Sequence, residues 1–107
     1  MSSDLSTIGL QPAVTQAIQQ VLSGFDEISQ VILYGSRAMG TYRTGSDIDI
    51  TIKLKPNIKP SITLLSQISM AIDDLDLIYS FDISFIDEID NPDLIRHIEE
   101  VGLQFYP

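Results

Sequence analysis

The sequence predicts an α/β (α+β) domain in which helices flank a small sheet. Segments with apolar residues at every third or fourth position, which predict helices, are interspersed with segments in which apolar and polar residues alternate, which predict strands. The predicted order is helix, strand, glycine-rich loop, strand, helix, strand and helix, which is typical of this fold class. The 107 residues suffice for one core, so we expect residues 1–107 to form a single domain.

The first half of the chain contains the first helix and two strands. Residues 11–23 place apolar side chains at helical spacing, and residues 29–34 (SQVILY) form a short apolar strand. Residues 35–46 (GSRAMGTYRTGS) contain three glycines, which predicts a loop with room for one helical turn. Residues 47–54 (DIDITIKL) alternate strictly, so isoleucines line one face of a second strand and acidic residues the other.

The second half of the chain contains two helices and one strand. Residues 61–78 predict an amphipathic helix because their apolar residues fall on one helical face. Residues 81–86 (FDISFI) alternate again and predict a third strand. Asn-Pro at positions 91–92 is a cap and first-turn signal, so we expect the last helix to begin there and to end at Gly102.

Composition excludes several classes of protein. Hydrophobic residues make up 44% of the chain and charged residues 20%, which excludes a disordered chain. The absence of cysteine excludes a disulfide scaffold and a thiolate zinc site, and it fits a reducing, cytoplasmic location. The start, Met1-Ser-Ser-Asp-Leu-Ser, lacks the basic and apolar regions of a secretory signal. No apolar run approaches the roughly 20 residues that span a bilayer, so we expect no membrane partner.

The charge balance favours a cation or a basic protein as the partner. Fifteen acidic against six basic residues give a net charge of −9, so phosphate repels the chain and we expect no direct binding of nucleic acid. Five of the six basic residues nevertheless lie between Arg37 and Lys59, around Asp47 and Asp49. They would partly offset the repulsion of an anionic substrate there.

Gly35-Ser36, followed after ten residues by Asp47-Ile48-Asp49, is the most informative pattern. Glycine at the end of a strand lets a ligand approach the backbone closely, and Ser36 offers a hydroxyl and an N–H group to a phosphate oxygen. Asp47 and Asp49 point the same way from one strand, and neighbouring carboxylates repel each other unless a cation joins them. Magnesium binds carboxylate oxygens and leaves room for substrate phosphates.

Asp82 is the predicted third carboxylate of this site. It lies on the polar face of another strand and converges on the same ions if that strand pairs beside residues 47–54. Three carboxylates can hold two metal ions for in-line phosphoryl or nucleotidyl transfer. Each part of the pattern is common by itself, because many strands begin with solvated acids, but the combination is specific.

The stretch LYGSRAMGTYRTGSDIDITI, residues 33–52, resembles the signature of the DNA polymerase beta-like nucleotidyltransferase superfamily. The short chain resembles the minimal nucleotidyltransferases (MNTs) of that superfamily over nearly its whole length. The resemblance implies the nucleotidyltransferase fold, with a small mixed sheet of three to four strands. It also implies that Ser36 contacts the triphosphate of ATP, that Asp47 and Asp49 bind two Mg²⁺ ions, and that Asp82 binds the ion that activates the attacking hydroxyl.

Further nucleotide-binding residues are predicted in the same loop. Arg37 and Arg43 match basic positions of the family's loop, which implies phosphate binding, and Gly35 and Ser46 complete the predicted set. Two alternatives stay open, since both arginines can be simple surface charges and Ser46 can be a turn or cap residue. His97 follows an arginine on the last helix and is predicted to be a surface residue.

The resemblance also implies a partner and a reaction. MNTs are commonly encoded beside a HEPN-domain protein, and in some toxin–antitoxin pairs the MNT transfers AMP from ATP onto a tyrosine of the HEPN toxin. An acidic chain with no second domain to hold an acceptor agrees with an acceptor on a separate, basic protein. An antitoxin that inhibits by binding alone, and nucleotide transfer to a small molecule, remain as alternatives.

Overall fold

The computed structural model describes residues 4–107. Residues 1–3 belong to the N-terminal stretch that lacks the pattern of a secretory signal, and they lie outside the described residues. The elements are α1 (Pro12–Ser23), β1 (Ile28–Tyr34), α2 (Ser36–Met39), β2 (Ile48–Leu54), α3 (Ile62–Asp73), β3 (Phe81–Phe85), a 3₁₀ turn (Ile86–Glu88), α4 (Pro92–Val101) and β4 (Leu103–Tyr106). Within residues 4–107, no helix is long and apolar enough to cross a membrane.

The four strands form one mixed sheet in the order β3-β2-β1-β4. Strand β1 pairs antiparallel with both β2 and β4, whereas β2 pairs parallel with β3. The predicted fold class and the small mixed sheet flanked by helices are therefore confirmed. Strand β4 is an addition to the predicted elements. It has four residues and follows Gly102 directly, which is too short a segment for an alternation pattern to be recognised.

The main core lies on one face of the sheet, where helices α1 and α3 pack against β2. Three residues of β2 are fully buried there, namely Ile48, Ile50 and Ile52. The other face is covered in part by α4, whose Ile98 packs against Ile32 of β1. The predicted alternation along β2 is thus confirmed, and its acidic residues lie on the face that carries α4.

Helix α3 ends earlier than predicted. The expected helix covers residues 61–78, but α3 stops at Asp73, and Asp76 has a left-handed backbone conformation with φ of 53°. A helix of L-residues cannot continue through such a residue. The following loop then leads into β3, where the Ser80 carbonyl accepts a hydrogen bond from the Ile48 N–H at 2.8 Å. This bond places the start of β3 directly beside the start of β2.

Candidate active site

The parallel pairing of β2 and β3 brings two of the predicted carboxylates side by side. Asp49 is in register with Asp82, and the next pair on that face, Thr51 and Ser84, is joined by a hydrogen bond of 3.0 Å between the two hydroxyls. Asp47 lies two residues before Asp49, and its charge acts on Asp49 together with that of Asp82. The structure therefore places Asp49 and Asp82 on one face of the sheet, with Asp47 near enough for its charge to act on Asp49.

Asp49 has the most perturbed environment of the three carboxylates. Partial burial raises the pKa of Asp49, and the negative charges of Asp82 and Asp47 raise it further, while His97 lowers it. Among residues 4–107, no lysine or arginine forms an ion pair with any of the three. Within the described part of the protein, the cluster therefore has no lysine or arginine as an ion-pair partner.

The chemistry of these donors fits magnesium, because a hard divalent cation prefers carboxylate oxygens. In the described residues, no group of three acidic or histidine side chains is gathered tightly enough to hold a metal ion as it stands. Like charges keep carboxylates apart when no cation lies between them. Asp47 and Asp82 are exposed, so their side chains are free to move towards Asp49 when a cation binds.

Gly35 lies at a position that only glycine fits. Its φ is 77° and its ψ is −158°, a conformation that other residues rarely adopt. A Cβ atom on Gly35 would also collide with the carboxylate of Asp49. Ser36 follows as the first residue of α2, and in the described part of the chain its hydroxyl makes no hydrogen bond. The predicted Gly-Ser pair therefore begins directly beside the Asp49 carboxylate.

Arg37 is a buried structural residue, so its interpretation as a surface charge is wrong. It is 3% exposed, and its guanidinium donates to the carbonyls of Ile8 at 2.9 Å and Ser46 at 3.0 Å. The rings of Tyr42 and Tyr79 lie 5.2 and 5.1 Å from the guanidinium carbon, a cation–π distance. Its N–H groups are largely used by carbonyls of the chain, so this geometry does not favour the expected phosphate-binding role of Arg37.

Ser46 closes the turn before β2, and this geometry does not favour its predicted role as a nucleotide ligand. The Ser46 hydroxyl accepts a hydrogen bond from the Arg43 N–H at 2.8 Å, and the Ser46 N–H donates to the Arg43 carbonyl at 2.9 Å. The second bond closes a four-residue turn from Arg43 to Ser46, and the first ties the Ser46 side chain to the start of that turn. The side chain of Arg43 is exposed and remains the basic group of the loop that an anion can reach.

His97 belongs to this site, although the sequence predicts a surface position for it. It is half-buried, and its Nε2 accepts a hydrogen bond from the Gly35 N–H at 3.1 Å. Its ring meets that of Tyr34 edge-on, with centroids 6.2 Å apart. Helical spacing was the sequence signal that could have revealed this position. His97 lies three residues after Leu94 and one before Ile98, at the border of the apolar face of α4.

Two cavities lie beside the loop and β3. One, of about 520 Å³, is lined by residues of the glycine-rich loop, including Arg37, together with Tyr79 and Ser80. The other, of about 540 Å³, lies between α3 and β3, shares Tyr79 and Ser80 with the first, and is lined by Asp73 and Asp82. The second cavity reaches the third predicted carboxylate directly, so a ligand there would meet Asp82.

A mixed sheet that carries a Gly-Ser loop and three aspartates at one end defines the class of nucleotidyl-transfer enzymes. Residues 16–106 match the model of the family described as Polymerase beta, Nucleotidyltransferase. The chain belongs to this family, which confirms the resemblance seen in residues 33–52.

Individual relatives and structures agree with this assignment. A curated Methanocaldococcus jannaschii protein, named a putative protein adenylyltransferase, is 40% identical over 75 residues, or 62% of this chain and 76% of the relative. A crystal structure of a toxin–antitoxin with AMP-PNP matches with a TM-score of 0.67 and 19% identity, covering 85% of this chain and 71% of that chain. A complex of a tri-AMPylated Shewanella oneidensis HEPN toxin with an MNT antitoxin matches with a TM-score of 0.63 and 15% identity, covering 90% and 71%. At these identities the two structures establish the shared fold.

Proposed function

We propose that this chain is a magnesium-dependent protein adenylyltransferase that acts as the antitoxin of a HEPN-domain toxin. It transfers AMP from ATP to a hydroxyl of the toxin, most simply that of a tyrosine. The observation that carries the proposal is the register of Asp49 with Asp82, beside Asp47 and the Gly35-Ser36 pair. Family membership supports nucleotidyl transfer, and the name of the Methanocaldococcus jannaschii relative supports a protein acceptor.

In the proposed reaction, the acceptor oxygen attacks the α-phosphorus of ATP and forms a new oxygen–phosphorus bond. The bond from the α-phosphorus to the pyrophosphate oxygen breaks, pyrophosphate leaves, and the hydroxyl proton is released. Asp47, Asp49 and Asp82 would hold two Mg²⁺ ions, which supply positive charge and lower the pKa of the acceptor hydroxyl.

The loop residues bind the triphosphate in this proposal. The hydroxyl and N–H of Ser36 donate to phosphate oxygens, and Gly35 lets the triphosphate approach the backbone because no side chain intervenes. The exposed side chain of Arg43 adds positive charge at the same loop. Arg37 and Ser46 hold the loop in shape rather than contact the nucleotide.

The acceptor comes from a second protein and enters beside Asp82. The polar cavity between α3 and β3 reaches Asp82 from solvent, and Asp73 adds a second negative charge to its wall. An acidic cavity on a chain of net charge −9 suits a basic acceptor surface. Charge complementarity then brings the acceptor hydroxyl to Asp82, the carboxylate that, by the family resemblance, would bind the ion that activates this hydroxyl.

The test is transfer of label from ATP radiolabelled in the α-phosphate to a HEPN-domain protein in the presence of Mg²⁺. We expect the wild-type chain to label the partner covalently, and Asp49→Asn to reduce the labelling rate by at least about a thousandfold because the metal ligand is lost. Asp90→Asn, which changes an exposed carboxylate outside the site, is the matched control and should label normally. Undiminished labelling by a folded Asp49→Asn protein would contradict the proposal.

Inhibition by binding alone is the second candidate function, and the net charge of −9 favours it. A chain this acidic can cover a basic, RNA-cleaving surface without any chemistry. In that case the Asp47→Asn variant should inhibit its partner as strongly as the wild type, with neither ATP nor Mg²⁺ present. Inhibition that requires ATP, Mg²⁺ and an intact Asp47 separates the adenylyltransferase from this alternative.

A further inference from the structure

We propose that His97 is a positioning residue for the nucleotide: it fixes the Gly35-Ser36 backbone by accepting the Gly35 N–H bond. The inference rests on the proposed function, because that proposal assigns nucleotide binding to this loop. The hydrogen bond itself joins two distant parts of the chain, the end of β1 and the last helix, and can be tested without any nucleotide.

The backbone of Gly35 is held from three sides. Its N–H donates to His97 Nε2 at 3.1 Å, and its carbonyl accepts from the Met39 N–H at 3.1 Å within α2. Its Cα lies against the Asp49 carboxylate so closely that a side chain has no room. Of these three contacts, only the one with His97 comes from an element outside the predicted Gly-Ser and Asp-x-Asp pattern.

The His97 ring is itself held in place. It meets the buried Tyr34 ring edge-on, with an angle of 81° between the ring planes. The next residue, Ile98, is 2% exposed and packs against Ile32 of β1. The imidazole is therefore supported by a buried helix face, and its Nε2 faces the Gly35 N–H of the loop.

Holding the Gly35 backbone in place also holds Ser36, which donates to the phosphates in the proposed function. The peptide unit between Gly35 and Ser36 is rigid, so the torsions of Gly35 set the direction of the Ser36 N–H. Without His97, the Gly35 N–H lacks this partner, and the loop is held less firmly before the nucleotide binds. Binding must then order the loop, and the entropy cost of this ordering lowers the nucleotide affinity. We therefore expect a three- to tenfold weaker nucleotide affinity, which corresponds to the free energy that one hydrogen bond contributes.

The composition of the chain makes the hydrogen bond directly measurable. The sequence contains six glycines and one histidine, so a protein labelled with ¹⁵N only in these two residue types gives a simple spectrum. We expect a scalar coupling across the N–H···N bond between one glycine amide and the imidazole, and its loss in His97→Leu. Absence of the coupling, with identical glycine signals in wild type and His97→Leu, would overturn the inference.

Nucleotide affinity is the second measurement, made by titrating AMP-PNP with Mg²⁺ into each variant without acceptor. His97→Leu should bind three- to tenfold more weakly, and His97→Gln, whose amide oxygen also accepts a hydrogen bond, should recover most of the affinity. Arg96→Gln, an exposed neighbour on α4, should bind as the wild type does. If His97→Leu does not fold, His97→Asn takes its place, because the shorter side chain does not reach Gly35.

The two proposals fail in different ways. Equal affinities of wild type and His97→Leu would overturn the positioning role while leaving the proposed function intact. A wild-type chain that does not bind AMP-PNP would contradict the proposed function, and with it the positioning role, even where the glycine–imidazole coupling is present. Weak binding by both His97→Leu and His97→Gln would show that packing of the ring, rather than the hydrogen bond, matters, and would also overturn the inference.

Discussion

Gly35 shows how one missing side chain shapes the site. Gly35→Ala introduces a methyl group that collides with the Asp49 carboxylate, in a backbone conformation with φ of 77° and ψ of −158°. Backbone strain and the collision together should destabilise the fold by about 3 kcal/mol. We also expect nucleotide transfer to be lost, because Asp49 must move. Unfolding in urea measures the first effect and labelling of the partner the second.

Gly40→Ala is the matched control for this substitution. Gly40 also has φ of 77°, but an added Cβ would meet nothing within 4 Å. Its ψ of 12° places it in the left-handed helical region, so Gly40→Ala measures the cost of that conformation alone, about 1 kcal/mol, and should leave transfer unchanged. Similar losses of stability and activity for both alanine variants would show that backbone conformation, rather than the contact with Asp49, explains the glycine at position 35.

The environment of a residue could be predicted from the sequence when its contact partners lie close to it along the chain, and could not when they lie far away. Gly35 lies beside Asp49, and this relation depends only on one strand, one turn and the next strand, which a local sequence pattern covers. The environment of Arg37 depends on Ile8, 29 residues away, and on Tyr79. No local pattern reveals such partners, so a buried arginine and a solvated one look alike in sequence.

The pairing of β2 with β3 has a cost that should appear in the pH dependence of stability. The pKa of Asp49 is raised by burial and by Asp82 and Asp47, so its ionised form destabilises the folded state. The contribution of Asp49 is favourable below its unfolded pKa, about 3.8, and is lost as the pH rises through its higher folded pKa. Asp49→Asn should therefore be more stable than wild type at pH 7, by up to about 1 kcal/mol because the group is only partly buried.

Urea unfolding between pH 4 and pH 7 checks this prediction, with a chelator present to remove divalent cations. The advantage of Asp49→Asn should shrink steadily as the pH falls, whereas Asp90→Asn, at an exposed position, should track the wild type. A wild-type chain more stable than Asp49→Asn at pH 7 would show that these carboxylates do not repel one another in the folded protein.

The accuracy of the predicted elements depended on how many residues each pattern could use. Eight residues of strict alternation, 47–54, predicted β2 to within one residue at its start, and the Asn91 cap with Pro92 placed the start of α4. The end of α3 was placed five residues too late because the apolar spacing continues past Asp73, while the left-handed residue Asp76 carries no strong sequence signal. Strand β4 exists because β1 offers it an edge, and that is a property of the assembled sheet.

The charge of the whole molecule links metal binding to folding. A net charge of −9 opposes compaction, and three of the negative charges meet at one end of the sheet, where no lysine or arginine among the described residues forms an ion pair with them. A cation that binds only the folded protein stabilises it by mass action. The chain should therefore gain stability from Mg²⁺ through this one site, beyond the general screening that any salt provides.

Thermal unfolding with and without Mg²⁺ separates the two effects. At a Mg²⁺ concentration one hundred times its dissociation constant, the wild type should gain about 2.7 kcal/mol, and chelation should reverse the gain. Asp49→Asn should show only the small shift that sodium chloride of equal ionic strength produces, because it lacks the central carboxylate, while Asp90→Asn should respond as the wild type does. An equal response of Asp49→Asn and wild type to Mg²⁺ would place the cation elsewhere on the acidic surface, and the three aspartates would then lose their assignment as metal ligands.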